Sequence, residues 1–173
     1  MGLKVLIVMG SENDLDALMP AVKILGELKI ETEVTVASAH RTPDRVVAMA
    51  RAAKKNGFGI VIAGAGGAAH LAGVFAANTT LPVLAVPIAV GTLGGVDALL
   101  SAVQMPGGVP VASVGVGGAR NAGLFAAQML GITDATIATA IESFRATQEG
   151  AVADADARVK AKVAAIKEAG KKS

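Results

Sequence analysis

The chain of 173 residues contains no cysteine, no tryptophan and no tyrosine, and it has only four phenylalanines. Because cysteine is absent, the chain forms no disulfide, uses no thiolate nucleophile and builds no Cys-based metal site. This composition is compatible with a reducing compartment, and the first residues lead directly into a strand-like run instead of a cleavable signal peptide. We therefore expect a cytoplasmic protein.

Charged side chains are absent between Lys55 and Asp97. Glycines, two prolines and the polar Asn78-Thr79-Thr80 divide this apolar stretch into pieces too short to span a membrane, so we predict buried strands and closely packed helices there. The formal net charge is only +2, and the basic excess lies in the tail from Lys160 to Lys172. Neither a membrane nor a nucleic acid is an expected partner.

The apolar residues that are present form short β-branched runs that alternate with helical patterns. The predicted strands are 4–9, 32–37, 59–63, 83–87 and 109–114, and the predicted helices are 13–28, 43–56, 69–77, 96–103 and 120–130. Strands that alternate with helices predict right-handed crossovers. The expected fold is therefore flavodoxin-like α/β, with a three-layer, doubly wound parallel sheet of about five strands.

The length suits one α/β catalytic domain, which we place at residues 1–132, followed by a C-terminal helical extension at 133–173. The extension carries apolar residues at helical spacing: Ile137, Ile141, Phe144, Val152, Val159, Val163 and Ile166. It is expected to pack either on its own domain or on a neighbouring subunit. A hydrophobic share of 53% and a mean hydropathy of +0.57 favour an oligomer, because the chain has more apolar side chains than one small core can bury.

The hexapeptide Ser38-Ala39-His40-Arg41-Thr42-Pro43 follows a predicted strand and holds one of only two histidines. Thr42 as the N-cap and Pro43 at the first helical position are ordinary features of a helix start. That explanation leaves Ser38, His40 and Arg41 without a role. A proton carrier beside a permanent cation and a hydroxyl is typical of a site for a phosphorylated substrate.

Two further segments end predicted strands at the same edge of the sheet, where ligands bind in such folds. Gly10-Ser11 enters a helix and can offer amides and a hydroxyl to a phosphate, although Ser11 or Asn13 alone can also cap that helix. The Asp14 carboxylate can either interact favourably with the helix dipole or accept hydrogen bonds from ribose hydroxyls. In 64–70, the glycines allow close approach of a ligand or close helix packing, and His70 is either structural or part of the site.

Seven segments together resemble the PurE family, the bacterial mutases of 5-(carboxyamino)imidazole ribonucleotide in purine synthesis. They are Gly10-Ser11 with Asp14, Ser38–Pro43, Ala63–Leu71, Leu81-Pro82-Val83, Asp97–Ser101, Val103–Val111 and Asn121-Ala122. The match runs in consistent order from about Val5 to Leu130. The chain departs from the family's usual pattern at Asn13, Ala72 and Ala98 and in a shorter loop at 115–119.

This resemblance implies a substrate, a reaction and roles for particular residues. The reaction moves a carboxylate from the exocyclic nitrogen to ring carbon 4, through decarboxylation and recapture of carbon dioxide, with no metal and no cofactor. Ser11 and Arg41 are expected to hold the 5′-phosphate, with Ser38 nearby. Asp14 is expected to bind the ribose hydroxyls, and His40 to transfer the proton.

The resemblance also implies where carbon dioxide is held and how the chains assemble. The backbone amides of Gly66, Gly67 and Ala68 are expected to hold the carboxylate and the carbon dioxide, with His70 as a further substrate contact. The family forms homo-octamers with active sites at subunit junctions and terminal helices that reach a neighbour. The expected partners are thus the phosphorylated aminoimidazole ribonucleotide, carbon dioxide and further copies of the chain.

Two other functions remain as alternatives. A related branch carboxylates aminoimidazole ribonucleotide directly, but it usually has lysine in place of Arg41 and lacks the sequence of 64–70 found here. A flavodoxin-like mononucleotide-binding protein would use the same sheet. Flavin sites usually stack the ring on aromatic side chains, of which this chain has few.

Overall fold

Five parallel strands form one sheet in the computed structural model, which describes residues 3–170. They are β1 (Lys4–Met9), β2 (Thr32–Val36), β3 (Phe58–Gly66), β4 (Val83–Ile88) and β5 (Ala112–Ser113), in the order β2-β1-β3-β4-β5. The helices are α1 (Leu15–Glu27), α2 (Pro43–Ala53), α3 (Leu71–Asn78), α4 (Val96–Val103), α5 (Ala119–Gly131) and α6 (Ala135–Gly170). The predicted doubly wound α/β fold is confirmed.

Helices cover both faces of the sheet, and the strands are therefore apolar on both sides. On β1, Val5, Ile7 and Met9 pack with α1, α5 and the start of α6, while Leu6 and Val8 pack with α2, α3 and α4. A parallel sheet buried in this way needs near-continuous apolar strands, which explains the uncharged stretch of the sequence. No helix among residues 3–170 is long and apolar enough to cross a bilayer.

Two strands differ from their predicted lengths by more than one residue. The predicted strand 59–63 runs to Gly66, so the first glycines of the expected loop belong to β3. The predicted strand 109–114 shrinks to Ala112–Ser113. Its first part is taken up by a turn in which the Val109 amide donates to the Pro106 carbonyl, and Pro110 has no N–H to donate to a sheet ladder.

The C-terminal helix α6 has two different halves. Its first half packs on the domain, where Ile141 is buried and Ile137 and Phe144 lie against the same cluster as α1 and α5. From Arg145 to Gly170 every residue except Ala155 is exposed. The end of the predicted extension, residues 171–173, lies outside the described residues, as do residues 1–2 at the start of the predicted domain.

Candidate active site

The candidate site lies where the strand order reverses, between β1 and β3. In open parallel sheets this is the place where a crevice forms beyond the carboxyl ends of the strands. A cavity of about 310 Å³ opens there. Its lining comes from the end of β3 and from the segments that follow β1, β2, β3 and β4: Gly10, Ser11, Asp14, Ser38, Ala39, His40, Arg41, Ala65, Gly66, Ala68, His70, Leu71 and Val90.

Ser11 and Asp14 form a capping box on the short 3-10 turn that precedes α1. The Asn13 amide donates to Ser11 Oγ at 3.3 Å, and the Ser11 amide donates to Asp14 Oδ2 at 3.1 Å. Capping is therefore one role of Ser11, which also lines the cavity. Burial raises the pKa of Asp14, against the opposing effects of the Ser11 amide and the Arg41 charge.

The segment from Ser38 to Thr42 is held by its own hydrogen bonds. Thr42 begins α2 as predicted, but its hydroxyl bonds the Ser38 backbone, accepting from N–H at 3.0 Å and donating to C=O at 3.1 Å. The predicted side-chain cap is thus absent at Thr42, because the turn takes up the hydroxyl. Arg41 donates from Nε to Ser38 Oγ at 3.4 Å and from its terminal nitrogen to the Gly10 carbonyl at 2.8 Å. The guanidinium is therefore fixed between β1 and β2.

The two histidines of the chain meet at this edge, although 30 positions separate them. His40 Nε2 and His70 Nδ1 lie 2.8 Å apart, and the rings meet edge to face with centroids 4.9 Å apart. One nitrogen donates and the other accepts, so the tautomer of each ring fixes that of the other. Such a pair can pass a proton to a bound molecule and take one back.

The glycines at the end of β3 and directly after it serve two purposes. A Cβ on Gly64 would come within 2.7 Å of the Leu18 side chain, so this glycine is required by packing against α1. Gly67 has a φ of +61°, which a side chain would strain, so it is required by the turn. Gly66 and Ala68 line the cavity, whereas Gly67 lies between them without lining it.

Most residues that the sequence analysis singled out converge on one cavity. Eight of them line it: Ser11, Asp14, Ser38, His40, Arg41, Gly66, Ala68 and His70. Sequence reasoning assigned no role to Ala39, Ala65, Leu71 and Val90, which also line it. Apolar residues carry no chemical signal of their own. The position of Val90 just after β4, at the carboxyl edge of the sheet, was the available clue.

Comparison with known proteins bears on what this cavity does. The family model for AIR carboxylase matches residues 4–151, which include every residue of the cavity. The chain belongs to the AIR carboxylase family. The matched region extends over the sheet, α1 to α5 and the first half of α6.

Individual members of the AIR carboxylase family are close in sequence and in fold. The N5-carboxyaminoimidazole ribonucleotide mutase of Synechocystis sp. is 48% identical over 153 residues, covering 88% of this chain and 87% of that protein. The mutase of Thermotoga maritima is 50% identical over 139 residues, covering 80% and 81%. The solved structure of Treponema denticola PurE has a TM-score of 0.80 at 26% identity, covering 89% and 96%. The PurE resemblance seen in the sequence is confirmed.

Proposed function

We propose that this chain is an N5-carboxyaminoimidazole ribonucleotide mutase of purine biosynthesis, an isomerase that moves a carboxylate within its substrate. The observation that carries the proposal is the contact of His40 with His70 in the same cavity as Arg41, Ser11 and Asp14. This set combines a proton carrier, a fixed cation and a carboxylate. The names of the relatives in Synechocystis and Thermotoga support the same reaction.

The phosphate end of the substrate is assigned to Arg41 and Ser11. Arg41 is positioned before the substrate binds, because Ser38 and the Gly10 carbonyl already accept two of its N–H groups. Its remaining N–H groups are available to a phosphate, with the Ser11 hydroxyl beside them. Asp14 is assigned to the ribose hydroxyls, since a carboxylate accepts hydrogen bonds from both.

The proton transfers are assigned to His40. In the first step the bond between the exocyclic nitrogen and the carboxylate carbon breaks, carbon dioxide is released and the nitrogen gains a proton from His40. In the second step ring carbon 4 attacks the carbon dioxide, and the proton on that carbon returns to His40. Protons therefore balance over one turnover. His70 orients the His40 ring through the 2.8 Å contact.

Carbon dioxide has to stay in the site between the two steps. We assign this task to the backbone amides around Gly66, Gly67 and Ala68, together with the apolar side chains of Leu71 and Val90 that line the cavity. Amides stabilise the carboxylate charge, and apolar walls exclude water from the reacting centre. A cytoplasmic location is part of the proposal, on the grounds of the cysteine-free composition.

The assembly belongs to the proposal as well. His40, Arg41, Ala68 and His70 are exposed in the single chain, although they line the cavity. A site that must hold carbon dioxide needs a cover, and a neighbouring subunit supplies one in a homo-octamer. The exposed apolar side chains of Leu93, Val96, Leu100 and Val103 lie after β4, on the stretch that also carries Val90. They form the surface that we assign to this contact.

Isotope retention tests the function and separates it from direct carboxylation. The substrate is supplied with a carbon-13 label on the carboxylate, in buffer with unlabelled bicarbonate, and the product is analysed by mass spectrometry. A mutase that traps its carbon dioxide leaves most of the label in the product. Loss of the label to the solvent pool, with equally rapid carboxylation of aminoimidazole ribonucleotide by added bicarbonate, would instead establish the direct carboxylase. Absence of both activities would remove the proposal.

A further inference from the structure

The hydroxyl of Thr42 makes two hydrogen bonds to the backbone of Ser38. Thr42 Oγ1 accepts from the Ser38 amide at 3.0 Å and donates to the Ser38 carbonyl at 3.1 Å. A threonine hydroxyl can donate and accept at once, so one side chain fixes both backbone polar groups of Ser38. We call this pair of bonds the Thr42 clamp. It closes the loop that carries His40 and Arg41.

Helix capping does not account for this hydroxyl. Thr42 is the N-cap residue of α2, a position where threonine usually accepts from an amide of the first turn, yet its side chain caps no amide of the helix. The following Pro43 disfavours a helical conformation at Thr42, which has φ −138° and ψ 55°. Removal of the hydroxyl therefore takes no capping bond from α2.

The Thr42 clamp reaches Arg41 through Ser38. Ser38 Oγ accepts from the Arg41 amide at 3.2 Å and from Arg41 Nε at 3.4 Å. Both bonds require the Ser38 backbone to keep its place, and the Thr42 clamp fixes that backbone. The end of the guanidinium donates to the Gly10 carbonyl at 2.8 Å, and the Gly10 amide donates to the Gly64 carbonyl at 3.3 Å. The cation is thus tied to β3 as well.

His40 lies in the same loop but has an anchor of its own. Its ring contacts His70, which comes from the segment between β3 and α3, at 2.8 Å. This contact does not pass through Ser38. Loss of the Thr42 clamp should therefore disturb the guanidinium of Arg41 more than the ring of His40. Thr42 itself does not line the cavity.

We propose that Thr42 is a positioning residue, which holds the guanidinium of Arg41 in place for the substrate phosphate by fixing the backbone of Ser38. The assignment of the phosphate to Arg41 rests on the proposed function. A guanidinium that is fixed before binding loses less conformational freedom when the phosphate arrives. Thr42 should therefore affect the binding of the phosphate and not the rate of the chemical step.

Kinetics of a variant without the hydroxyl tests the proposal. Thr42→Val keeps the branched shape of the side chain, and KM should rise about 3–10-fold, as expected for one lost neutral hydrogen bond. The change in kcat should stay below about twofold, since His40 keeps its contact with His70. Thr42→Ser keeps the hydroxyl and should restore the KM of the parent.

Thr139→Val is the matched control for the loss of a threonine hydroxyl. Thr139 is exposed, like Thr42, and its hydroxyl donates to the Ala135 carbonyl, four positions earlier, at 2.9 Å. It lies on α6 and does not line the cavity of the candidate site. This variant should leave KM and kcat at the values of the parent.

Two comparisons show whether Thr42 acts through Arg41. In the Arg41→Ala background, adding Thr42→Val should raise KM no further, because two changes that remove the same contact are not additive. With the nucleoside that lacks the phosphate, Thr42→Val should leave KM unchanged. A full further rise in the Arg41→Ala background, or an equal effect on the nucleoside, would overturn the proposal.

The contrast between KM and kcat separates positioning from a loss of folded protein. A partly unfolded variant has fewer active sites, which lowers kcat at unchanged KM, and that result for Thr42→Val would overturn the proposal. Constants equal to those of the parent would overturn it too, as would a Thr42→Ser variant as impaired as Thr42→Val. If Thr42→Val does not fold, Thr42→Ala removes the same hydroxyl and takes its place in every comparison.

This proposal and the proposed function can fail separately. Absence of mutase activity in the parent would remove the function. Crystal structures of the parent and of Thr42→Val without substrate would then decide the role of Thr42, because Arg41 is bonded to the Gly10 carbonyl in the chain alone. That bond should be lost in the variant, and its persistence at the same length would overturn the proposal.

Discussion

At the scale of single residues, the candidate site consists of side chains that are held in place by protein contacts before any substrate is present. Arg41 is bonded to Ser38 and to the Gly10 carbonyl, and His40 is bonded to His70. Pre-positioning of this kind reduces the entropy that binding and reaction must overcome. Substitutions here should therefore change binding and turnover separately, according to which contact is lost.

Replacing His40 tests the proton carrier. His40→Asn should lower kcat by about 10²–10⁴-fold, because an amide can donate a hydrogen bond but cannot give and take a proton. His70→Asn should lower kcat less, since asparagine can still bond the His40 ring. Steady-state kinetics on both variants gives the ranking. If His70→Asn proved the more damaging change, the proton transfer would belong to His70.

Replacing Arg41 tests phosphate recognition. Arg41→Ala should raise KM for the ribonucleotide by roughly 10–100-fold, the range expected for a lost charge-assisted hydrogen bond. Arg41→Lys should recover part of this loss, because lysine supplies the charge without the fixed fork of N–H groups. The control is the nucleoside without its phosphate. It should be a poor substrate for the parent and for both variants alike, and an Arg41→Ala effect of equal size on the nucleoside would argue against a phosphate contact.

Replacing Asp14 tests the effect of its burial. Its pKa is raised above the usual 3.8 in the folded chain, so the native state binds more protons than the unfolded state in the window above 3.8. The free energy of unfolding should then fall as pH rises through that window and stay lower above it. Asp14→Asn should remove this fall, raising stability at neutral pH relative to the parent while weakening substrate binding. Urea unfolding at matched protein concentration measures the free energy of unfolding of both proteins. An Asp14→Asn protein with the same pH profile of stability as the parent would contradict the prediction.

Sequence reasoning found the residues of the site that carry charge or hydrogen-bonding groups. Ser38, His40 and Arg41 stood out because helix capping left them without a role, and all three line the cavity. The contact between His40 and His70 was not predicted, since it depends on the sheet order, in which β2 and β3 flank β1 and bring the segments that follow them together. Leu71 and Val90 were missed as well, because apolar lining residues look like core residues in a sequence.

At the scale of elements, the predicted bounds of a helix or strand are accurate where the sequence signal that determines them is local. β1 and α4 begin and end at the predicted residues, because apolar periodicity alone defines them. β5 is shorter than predicted, because its hydrogen bonding depends on β4 and on the turn before Pro110. At the end of α1, by contrast, a local hydrogen-bond pattern imposes a backbone conformation that the residue at that position disfavours.

That helix end leads to a prediction about Lys29. The Ile30 amide donates to the Leu25 carbonyl and the Lys29 amide donates to the Gly26 carbonyl, which is the Schellman pattern. Lys29 therefore has a φ of +58°, a conformation that favours glycine. Lys29→Gly should raise the free energy of unfolding by about 0.5–1 kcal/mol, because relief of strain exceeds the added freedom of the unfolded chain.

The control for that prediction is Lys29→Ala, which keeps the strained conformation and removes the same charge. It should change stability little. Thermal unfolding of the two variants beside the parent makes the comparison, and a gain in stability for alanine equal to that for glycine would show that the charge is the cause and not the backbone.

At the scale of the whole molecule, the exposed apolar residues of α4 distinguish an isolated chain from an assembled one. Val96, Leu100 and Val103 lie at i, i+4 and i+7 on one face, each about half exposed. A soluble monomer rarely leaves such a stripe uncovered. The same sequence feature, a surplus of apolar residues, predicted an oligomer, but neither the surplus nor the fold of one chain defines which faces meet.

Leu100→Glu tests the proposed contact on α4. A charge at the centre of the stripe would be buried without a partner in the proposed assembly, so the proposed octamer should dissociate into smaller species. Light scattering and sedimentation should detect that change, and kcat should fall because His40 and Arg41 lose their cover. Lys23→Glu, an exposed change on α1, should leave both mass and activity as they were. A Leu100→Glu protein with the mass and activity of the parent would show that α4 faces solvent in the assembly, and the contact would then have to be sought elsewhere.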